Sequence, residues 1–265
     1  MRASRTAEEA PLRDAEGSLC FKAVLHSSLI EYPGHIADVL FVGGCNFRCV
    51  YCHNLDLVLR PDQLPDVDDE QLLASLLPRR SFVDGLVITG GEPTLQAGLI
   101  PFLSRARQAG FDIKLDTNGY QPDVLRLCLE NHLVDYVAMD VKTSLTRYPL
   151  VTGVAIDPAR LRRSIDLIRH SGIDHEFRTT VVPGLVELAD VESIARLIAG
   201  AQRYFLQAFR PGPTVGWGQE PPVGAPTAET VLRLARAAAG HGLREVGVRG
   251  MPHGDDTLPA APDRR

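Results

Sequence analysis

The chain has 265 residues, the length of one large α/β domain or of two small domains. Hydrophobic residues make up 45% and charged residues 23%, which is the composition of an ordinary globular protein with a full core. The net charge of −5 gives no electrostatic reason to expect a nucleic acid or an anionic membrane surface as a partner.

The elements predicted in chain order alternate between short apolar runs and amphipathic stretches. The predicted strands are 36–42, 85–89, 111–116, 133–140, 175–182 and 204–209. The predicted helices are 69–77, 95–109, 122–131, 158–170, 191–199 and 228–239. Two further strands, 21–29 and 243–248, are expected at the edges of the sheet.

These strand–helix repeats predict an α/β fold with a parallel sheet and right-handed crossovers. Six repeats are too few for a closed eight-stranded barrel, so an open, partial (β/α)6 barrel and a doubly wound sheet both fit. We expect one domain over 18–250, with loose tails at 1–17 and 251–265 that are rich in Pro, Ala and charge.

The first twenty residues contain arginines and acids but no apolar segment, so we expect no secretory signal. No later stretch approaches the roughly 18 apolar residues of a membrane span. The expected compartment is the cytoplasm, where the five cysteines stay reduced. A cluster of cysteines there points to metal binding or catalysis rather than to disulfides.

The segment GGCNFRCVYCHN, which follows the first strand of the repeats, contains three of those cysteines. Its CVYCH matches the attachment pattern of a c-type haem, and its C-x-x-C matches a redox pair, but both leave Cys45 without a role. A zinc site could use Cys45, Cys49, Cys52 and His53, although structural zinc sites draw on two separated pairs of ligands. An iron–sulfur cluster with one open iron would use all three cysteines.

Other polar motifs also follow predicted strands, and the carboxyl ends of parallel strands form one rim of an α/β fold. We therefore expect a single active site on that rim. The motifs are TGGEPT at 89–94, LDTNG at 115–119, MDVK at 139–142, the Pro-Gly pair at 183–184 and QAFRP at 207–211.

The chain resembles the radical S-adenosylmethionine (SAM) enzymes. The residues that carry this resemblance are Cys45, Cys49 and Cys52 in a C-x-x-x-C-x-x-C motif, Tyr51 before the last cysteine, and Gly90, Gly91, Glu92 and Pro93 after the second strand. The segments SLIEYPG, CVYCHN, LDTNG, MDVK and FRTTVVPG are similar to those of the glycyl-radical-enzyme activases. Among these, the likeness is closest to the anaerobic ribonucleoside-triphosphate reductase activating proteins, and it covers about 21–211.

The resemblance implies that the three thiolates hold three irons of one [4Fe–4S] cluster and that SAM chelates the fourth iron. One electron then splits SAM into methionine and a 5′-deoxyadenosyl radical, which takes a hydrogen atom from a glycine Cα of a partner protein. The implied partner is anaerobic ribonucleotide reductase. Because the chain has no second cysteine cluster, a flavodoxin or ferredoxin is implied as electron donor.

The resemblance also implies contacts to SAM. Gly90–Pro93 would meet the methionyl amino group, and Tyr51 would lie near the adenine. Asp116 and Asp140 would form a polar wall beside the ribose and the methionyl group. Lys142 would meet the carboxylate of the ligand.

His53 and Asn54 would flank the cluster, and a monovalent cation would lie between Asp116, Thr117 and Asp140. Simpler alternatives remain open for several of these residues. Glu92 could cap the following helix, 116–119 could be an ordinary turn, and Asp140 with Lys142 could be a surface pair.

Other functions also remain open. The radical chemistry could serve another glycyl-radical enzyme, such as pyruvate formate-lyase, or a small molecule or RNA. A zinc or haem protein without enzymatic activity would leave the GGEP, DTNG and DVK loops without a shared purpose. Residues 212–265 carry no motif that we can place. Trp217 could belong to a loop that faces a partner, but we expect it to pack at the bottom of the barrel.

Overall fold

The computed structural model describes residues 18–251 and 256–258. Within these, the chain divides into two compact units. The first unit comprises 18–46 and Asn54–Ala138, and the second comprises Phe47–His53 and the chain from Met139 onward. The cysteine motif is therefore shared, since Cys45 belongs to the first unit and Cys49 and Cys52 to the second.

The first unit contains five strands, four α-helices and the start of a sixth strand. In chain order these are β1 (Cys20–Ser28), β2 (Ala37–Val42), α1 (Leu55–Leu59), β3 (Val67–Asp68), α2 (Asp69–Leu76), β4 (Gly85–Gly90), α3 (Leu99–Gln108), β5 (Asp112–Thr117), α4 (Pro122–Glu130) and β6 (Tyr136–Asp140).

The sheet of the first unit has the order β3-β1-β2-β4-β5. Strands β2, β4 and β5 are parallel, with Val39 opposite Val87 and Val87 opposite Lys114. Strand β1 is antiparallel to both β2 and β3. Because β2, β4 and β5 run in one direction, their carboxyl ends meet at one edge, which brings together the loops that follow them.

Helix α3 illustrates how sequence spacing builds the layer beside this sheet. Its buried residues are Leu99, Phe102, Leu103 and Ala106, which recur at positions i, i+3, i+4 and i+7 and so form one apolar face. Helix α2 begins after its N-cap Asp68, whose carboxylate accepts hydrogen bonds from the amides of Glu70 and Gln71.

The chain leaves the first unit along β6. Beside the start of β6, the amide of Asp135 donates to the carbonyl of Ile113, just inside β5. Just past its end, within the second unit, the amide of Val141 donates to the carbonyl of Arg178.

The second unit continues with α5 (Tyr148–Thr152), α6 (Pro158–His170), β7 (Asp174–Val181), α7 (Leu188–Leu197), β8 (Arg203–Ala208), α8 (Ala228–Ala239), β9 (Glu245–Arg249) and β10 (Asp256–Leu258). Its strands follow the order β7-β8-β9-β10. Strands β7, β8 and β9 are parallel, and β10 is antiparallel to β9. Helix α8 begins after Thr227, whose hydroxyl caps the amide of Thr230.

The structure confirms an α/β fold with a mostly parallel sheet. The six strands of the repeats and the six helices are all present, and their ends lie within four residues of the predicted bounds. The sheet has free edges, since β3 bonds only to β1 and β10 only to β9 among the described strands, as an open partial barrel requires. No described helix is long and apolar enough to span a bilayer.

The prediction that β1 and β9 are edge strands was wrong, because β3 pairs with β1 and β10 pairs with β9. Strands of two and three residues are too short to show an alternating pattern in sequence. The expected tail at 1–17 lies outside the described residues. Within the expected tail at 251–265, residues 256–258 form β10, so that part is not loose.

Candidate active site

The loop after β2 carries Cys45 and is bound closely to the loop after β4. The carbonyl of Gly44 accepts a hydrogen bond from the amide of Glu92 at 2.8 Å. A Cβ on Gly91 would overlap that same carbonyl oxygen, so only glycine permits the two loops to approach this closely. Gly91 therefore permits a close approach between two loops of the protein, and not one between the backbone and a ligand.

Gly90 ends β4 in a conformation that favours glycine, with φ at +113° and space for a Cβ blocked by the Val42 carbonyl oxygen at 2.5 Å. Its own carbonyl accepts a hydrogen bond from Nδ2 of Asn54 at 2.9 Å. Asn54, predicted to flank the cluster, thus ties the residues after the cysteine motif to the GGEP segment.

Glu92 is buried, with 1% of its surface exposed. One carboxylate oxygen accepts hydrogen bonds from the amide and hydroxyl of Thr94 and from the hydroxyl of Thr117, and the other accepts from the amide of Asn118 at 2.7 Å. Burial raises the pKa of Glu92, and these hydrogen bonds oppose that rise. The side chain caps the 3₁₀ turn Pro93–Leu95 and not the following helix α3, which begins after Gly98, so the capping alternative holds only for this short turn. Because the carboxylate is used within the protein, the backbone groups of Gly90–Pro93 are left for a ligand.

Asp116, near the end of β5, is paired with a lysine. Nζ of Lys114 lies 2.6 Å from the Asp116 carboxylate, and both side chains are almost completely buried. The hydroxyl of Thr89 donates to the other oxygen of Asp116 at 3.4 Å. The sequence interpretation missed Lys114, although a lysine two positions before an aspartate shares its face of a strand and could have been noticed.

The turn after β5 reaches the first cysteine. Nδ2 of Asn118 lies 2.8 Å from Oδ1 of Asn46 and 3.8 Å from Sγ of Cys45. Nδ2 of Asn46 is buried and has no hydrogen-bond partner. The turn predicted at 116–119 is present, since Oδ1 of Asn118 accepts from the amide of Tyr120. The sequence interpretation assigned Asn118 no role at the site.

In the second unit, the loop Phe47–His53 holds the other two cysteines. The amides of Arg48 and Val50 donate to the carbonyls of Thr152 and Val151, which fixes the loop to the end of α5. Burial raises the pKa of the Cys49 thiol to about 11, and the charge of Lys142 only partly opposes this. Without a bound cation that thiol stays protonated at neutral pH, whereas a metal would stabilise the thiolate.

Tyr51 is packed among Val151, Val182 and Phe209 and is only 6% exposed. A ring covered in this way offers no open face for stacking, so the predicted adenine contact of Tyr51 finds no support here. Its hydroxyl is buried and has no hydrogen-bond partner. Burial also raises the pKa of Tyr51, so the hydroxyl remains a proton donor.

A segment that the sequence interpretation left without a role, 213–217, lies along the cysteine loop. The amides of Val215 and Gly216 donate to the carbonyls of Cys52 and Val50, at 2.9 and 3.1 Å. A Cβ on Gly216 would lie 2.5 Å from Cα of Val50, so this approach also requires glycine.

His53 and Trp217 complete this packing. Nδ1 of His53 donates to the Pro213 carbonyl at 3.1 Å, and its ring stacks on Phe209 at 5.7 Å between centroids. Trp217 contacts the same phenylalanine edge-on at 6.0 Å. The expectation that Trp217 packs at the bottom of the barrel was wrong, because it packs in the cluster of apolar side chains that covers Tyr51.

Asp140, at the end of β6, is bound by two basic side chains. Nε of Arg178 and Nζ of Lys142 each lie 2.8 Å from one of its carboxylate oxygens. Burial alone would raise the pKa of Asp140, but these two charges outweigh it and hold that pKa well below its usual range. Asp140 and Lys142 are thus a pair, but with 29% and 16% of their side chains exposed they are partly buried rather than on the surface.

Arg178 was the third site residue that sequence reasoning missed. It lies in the FRTTVVPG segment on β7, 38 positions after Asp140. Nothing in the local pattern shows that this arginine faces Asp140, because the contact depends on how two separate strands lie within the second unit.

The family of this chain follows from its similarity to known proteins. Residues 39–198 match the model of the radical SAM superfamily. A protein of Methanocaldococcus jannaschii named as a glycyl-radical enzyme activating enzyme is 35% identical over 193 residues, covering 71% of this chain and 79% of the relative. The pyruvate formate-lyase-activating enzyme of Clostridium pasteurianum is 28% identical, with the same two coverages.

A solved structure shows the same fold. QueE from Escherichia coli superposes with a TM-score of 0.55 at 15% identity, covering 87% of this chain and 93% of QueE. Enzymes of the radical SAM superfamily use a [4Fe–4S] cluster and SAM. The match over residues 39–198 and the 35% identical relative together show that the chain belongs to the radical SAM superfamily.

Proposed function

We propose that this protein is an activating enzyme that uses SAM and a [4Fe–4S] cluster to generate a glycyl radical on a partner protein, anaerobic ribonucleoside-triphosphate reductase. Two relatives named as activating enzymes of glycyl-radical proteins or of pyruvate formate-lyase support the reaction class. The YPG segment before β2 and the CHN that ends the cysteine motif support an activase over an enzyme that acts on RNA or a small molecule, and the choice of reductase rests on the resemblance to its activating proteins.

The observation that carries the proposal is the chemistry around the cysteine motif. Three thiols in a C-x-x-x-C-x-x-C spacing are soft donors that suit an iron–sulfur cluster. The amide nitrogen of Asn46 and the hydroxyl of Tyr51 adjoin Cys45 and Cys52 in the chain, and both are buried without a partner. A bound polar group could satisfy them, so these residues fit the cluster and its ligand.

In this proposal Cys45, Cys49 and Cys52 hold three irons and leave one iron open for SAM. When bound and reduced, the cluster supplies the single electron that cleaves SAM, and a glycine Cα of the partner supplies the hydrogen atom. Cys20 is exposed and Cys128 is buried within α4, and neither lies in the motif, so we propose one cluster per chain.

The other residues bind and orient. Backbone groups of Gly90–Pro93 remain for the methionyl amino group, since the Glu92 carboxylate is used within the protein. One N–H of Lys142 binds Asp140, and its remaining N–H groups are donors for the SAM carboxylate. Asp140, kept ionised by Arg178, holds Lys142 in place.

The carboxylates of Asp116 and Asp140, which the resemblance assigns to a monovalent cation, are poorly suited to bind one. Asp116 is already paired with Lys114, and Asp140 with Lys142 and Arg178. Each negative charge is therefore compensated by a basic side chain, and the cation has no part in the proposed mechanism.

An external one-electron donor such as a flavodoxin or ferredoxin belongs to the proposal, because the chain has no second cysteine cluster. Pyruvate formate-lyase is the second candidate partner, since the Clostridium pasteurianum relative is named for it. Two partner proteins in one assay can separate these candidates.

The experiment mixes the anaerobically reconstituted protein with SAM, a reductant and either reductase or lyase from the same organism, and records the electron paramagnetic resonance spectrum. We expect a glycyl-radical doublet on the reductase and none with a Cys49→Ala variant. A doublet on the lyase alone would show that pyruvate formate-lyase, and not the reductase, is the partner. If neither partner gained a radical while SAM was cleaved, a glycyl-radical protein would not be the substrate.

A further inference from the structure

Asn118 makes four contacts within the first unit. Its amide donates to Glu92 at 2.7 Å, and its side-chain oxygen accepts from the amide of Tyr120 at 2.9 Å. Its side-chain nitrogen lies 2.8 Å from Oδ1 of Asn46 and 3.8 Å from Sγ of Cys45, within reach of a hydrogen bond to sulfur. The side chain is buried, with 6% of the residue exposed, so these contacts fix it in place.

The orientation of this amide group follows from the backbone. The amide of Tyr120 is a donor under all conditions, so the atom of Asn118 that faces it must be the oxygen. The atom that faces Cys45 is then the nitrogen, which carries two hydrogens. One serves Asn46, and the other is directed toward the sulfur.

The turn itself does not require this nitrogen. An aspartate or serine at 118 would also accept the bond from Tyr120, since both residue types form such turns. The N–H directed toward Cys45 is therefore what distinguishes asparagine at this position.

We propose that Asn118 is a positioning residue for the cluster, which donates a side-chain N–H to the sulfur of Cys45 and thereby raises the reduction potential of the cluster. This inference rests on the proposed function, in which Cys45 binds iron. Hydrogen bonds to ligand sulfurs are among the factors that set the potentials of iron–sulfur clusters. A donor at the sulfur favours the reduced state, because that state carries one more negative charge.

The test compares the wild type with Asn118→Ser, which keeps a neutral acceptor for the turn but is too short to reach the sulfur. The matched control is Asn131→Ser, because the Asn131 side chain is exposed and donates to the carbonyl of Leu127, one turn earlier in the same helix. The measurement is a potentiometric titration of the reconstituted cluster, followed by its electron paramagnetic resonance signal, with iron content determined for each protein.

We expect Asn118→Ser to load iron normally but to shift the midpoint to more negative values. The ratio of reduced to oxidised cluster at a fixed potential should fall by up to about tenfold, which is about 59 mV for a one-electron couple. Asn131→Ser should titrate like the wild type. A fully loaded Asn118→Ser cluster with an unchanged midpoint would overturn the inference while leaving the proposed function intact.

If the serine variant loads no cluster, the inference is tested by spectroscopy of isotopically labelled protein instead. Protein labelled with ¹⁵N in asparagine side chains should show a hyperfine coupling to the reduced cluster that persists in an Asn46→Asp, Asn54→Asp variant, which lacks the other two nearby side-chain nitrogens but keeps the acceptor for Asn118. The absence of this coupling would also overturn the inference. A wild type that assembles no cluster at all would instead refute the proposed function.

Discussion

Glu92 in the first unit and Asp140 in the second are both partly or fully buried carboxylates in segments predicted to bind SAM, yet they have opposite electrostatics. Glu92 is surrounded by hydroxyl and amide donors, and burial raises its pKa. Asp140 is bound by Arg178 and Lys142, which hold its pKa well below the usual range in spite of burial. Burial raises the pKa of both acids, but the neutral donors around Glu92 do not outweigh it, whereas the two basic side chains beside Asp140 do.

The difference separates two roles. Glu92 organises the first unit, since its hydrogen bonds connect the GGEP segment with the turn after β5. Asp140 holds two positive charges in the second unit, one of which is proposed to meet the ligand. Replacing each acid by its amide therefore tests buried hydrogen bonds in the first unit and a charge pair in the second.

The largest effect is expected for Asp140→Asn. This change removes the carboxylate that binds both Arg178 and Lys142 in a partly buried site, so the free energy of unfolding should fall by about 3 kcal/mol. Urea unfolding of the cluster-free, reduced protein, followed by circular dichroism, measures it. The control Asp166→Asn removes an exposed pair with Arg169 and should cost no more than about 0.5 kcal/mol. Equal losses in both variants would contradict the account of Asp140.

Glu92→Gln should cost somewhat less, about 2 kcal/mol. The new amide group cannot accept a bond where an oxygen now does, so a buried donor from Thr117, Thr94 or Asn118 loses its partner. The same unfolding experiment measures the loss. The control Glu130→Gln changes an exposed helical pair with Arg126 and should remain near the wild type. A Glu92→Gln protein as stable as this control would show that the buried hydrogen bonds contribute little.

Gly216→Ala should cost about 1 to 2 kcal/mol and should reduce the iron bound per chain after reconstitution. The new Cβ would meet the backbone of Val50 and push segment 213–217 away from the cysteine loop. Gly224→Ala is the matched control, because no atom lies within 4 Å of a Cβ placed there. Full iron content and unchanged stability in Gly216→Ala would mean that the cysteine loop does not depend on that segment.

The smallest effect lies in the pH dependence of the first two variants. The folded pKa of Glu92 lies above its unfolded value of about 4.3, so its contribution to stability is complete below that pH and is lost as pH rises through the folded pKa. The folded pKa of Asp140 lies below its unfolded value of about 3.9, so its contribution is complete above that pH and is lost only in stronger acid.

Unfolding measured between pH 4.5 and 7.5 should therefore show two different trends. The stability difference between wild type and Glu92→Gln should shrink as pH rises, by at most about 1.4 kcal/mol for each unit of pKa shift. The difference between wild type and Asp140→Asn should stay constant over this range. Two differences that changed in the same direction would refute the contrast between the carboxylates.

Much of the fold could be predicted from the sequence, because long strands and helices carry a clear period. The bounds of α8 were predicted without error, because Thr227 before it and Gly240 after it mark where a helix begins and ends. Strands β3 and β10 could not be predicted, since two or three residues show no period and exist only through pairing with β1 and β9.

The site was predictable in its motifs but not in its contacts. The motifs identified Cys45, Cys49 and Cys52 and the family. They did not reveal Arg178 or Asn118, whose partners are distant in the chain and are reached only through the register of strands. The packing of Tyr51 beneath Phe209 likewise depends on a loop far along the sequence.

The most direct test of the central claim is reductive cleavage of SAM by the cysteine motif. The protein and its variants are reconstituted anaerobically with iron and sulfide, reduced, and mixed with SAM, and 5′-deoxyadenosine is quantified. We predict the product from the wild type and from Cys20→Ala, whose thiol lies outside the motif, but none from Cys45→Ala, Cys49→Ala or Cys52→Ala. Undiminished 5′-deoxyadenosine from any of these three motif variants would contradict the account.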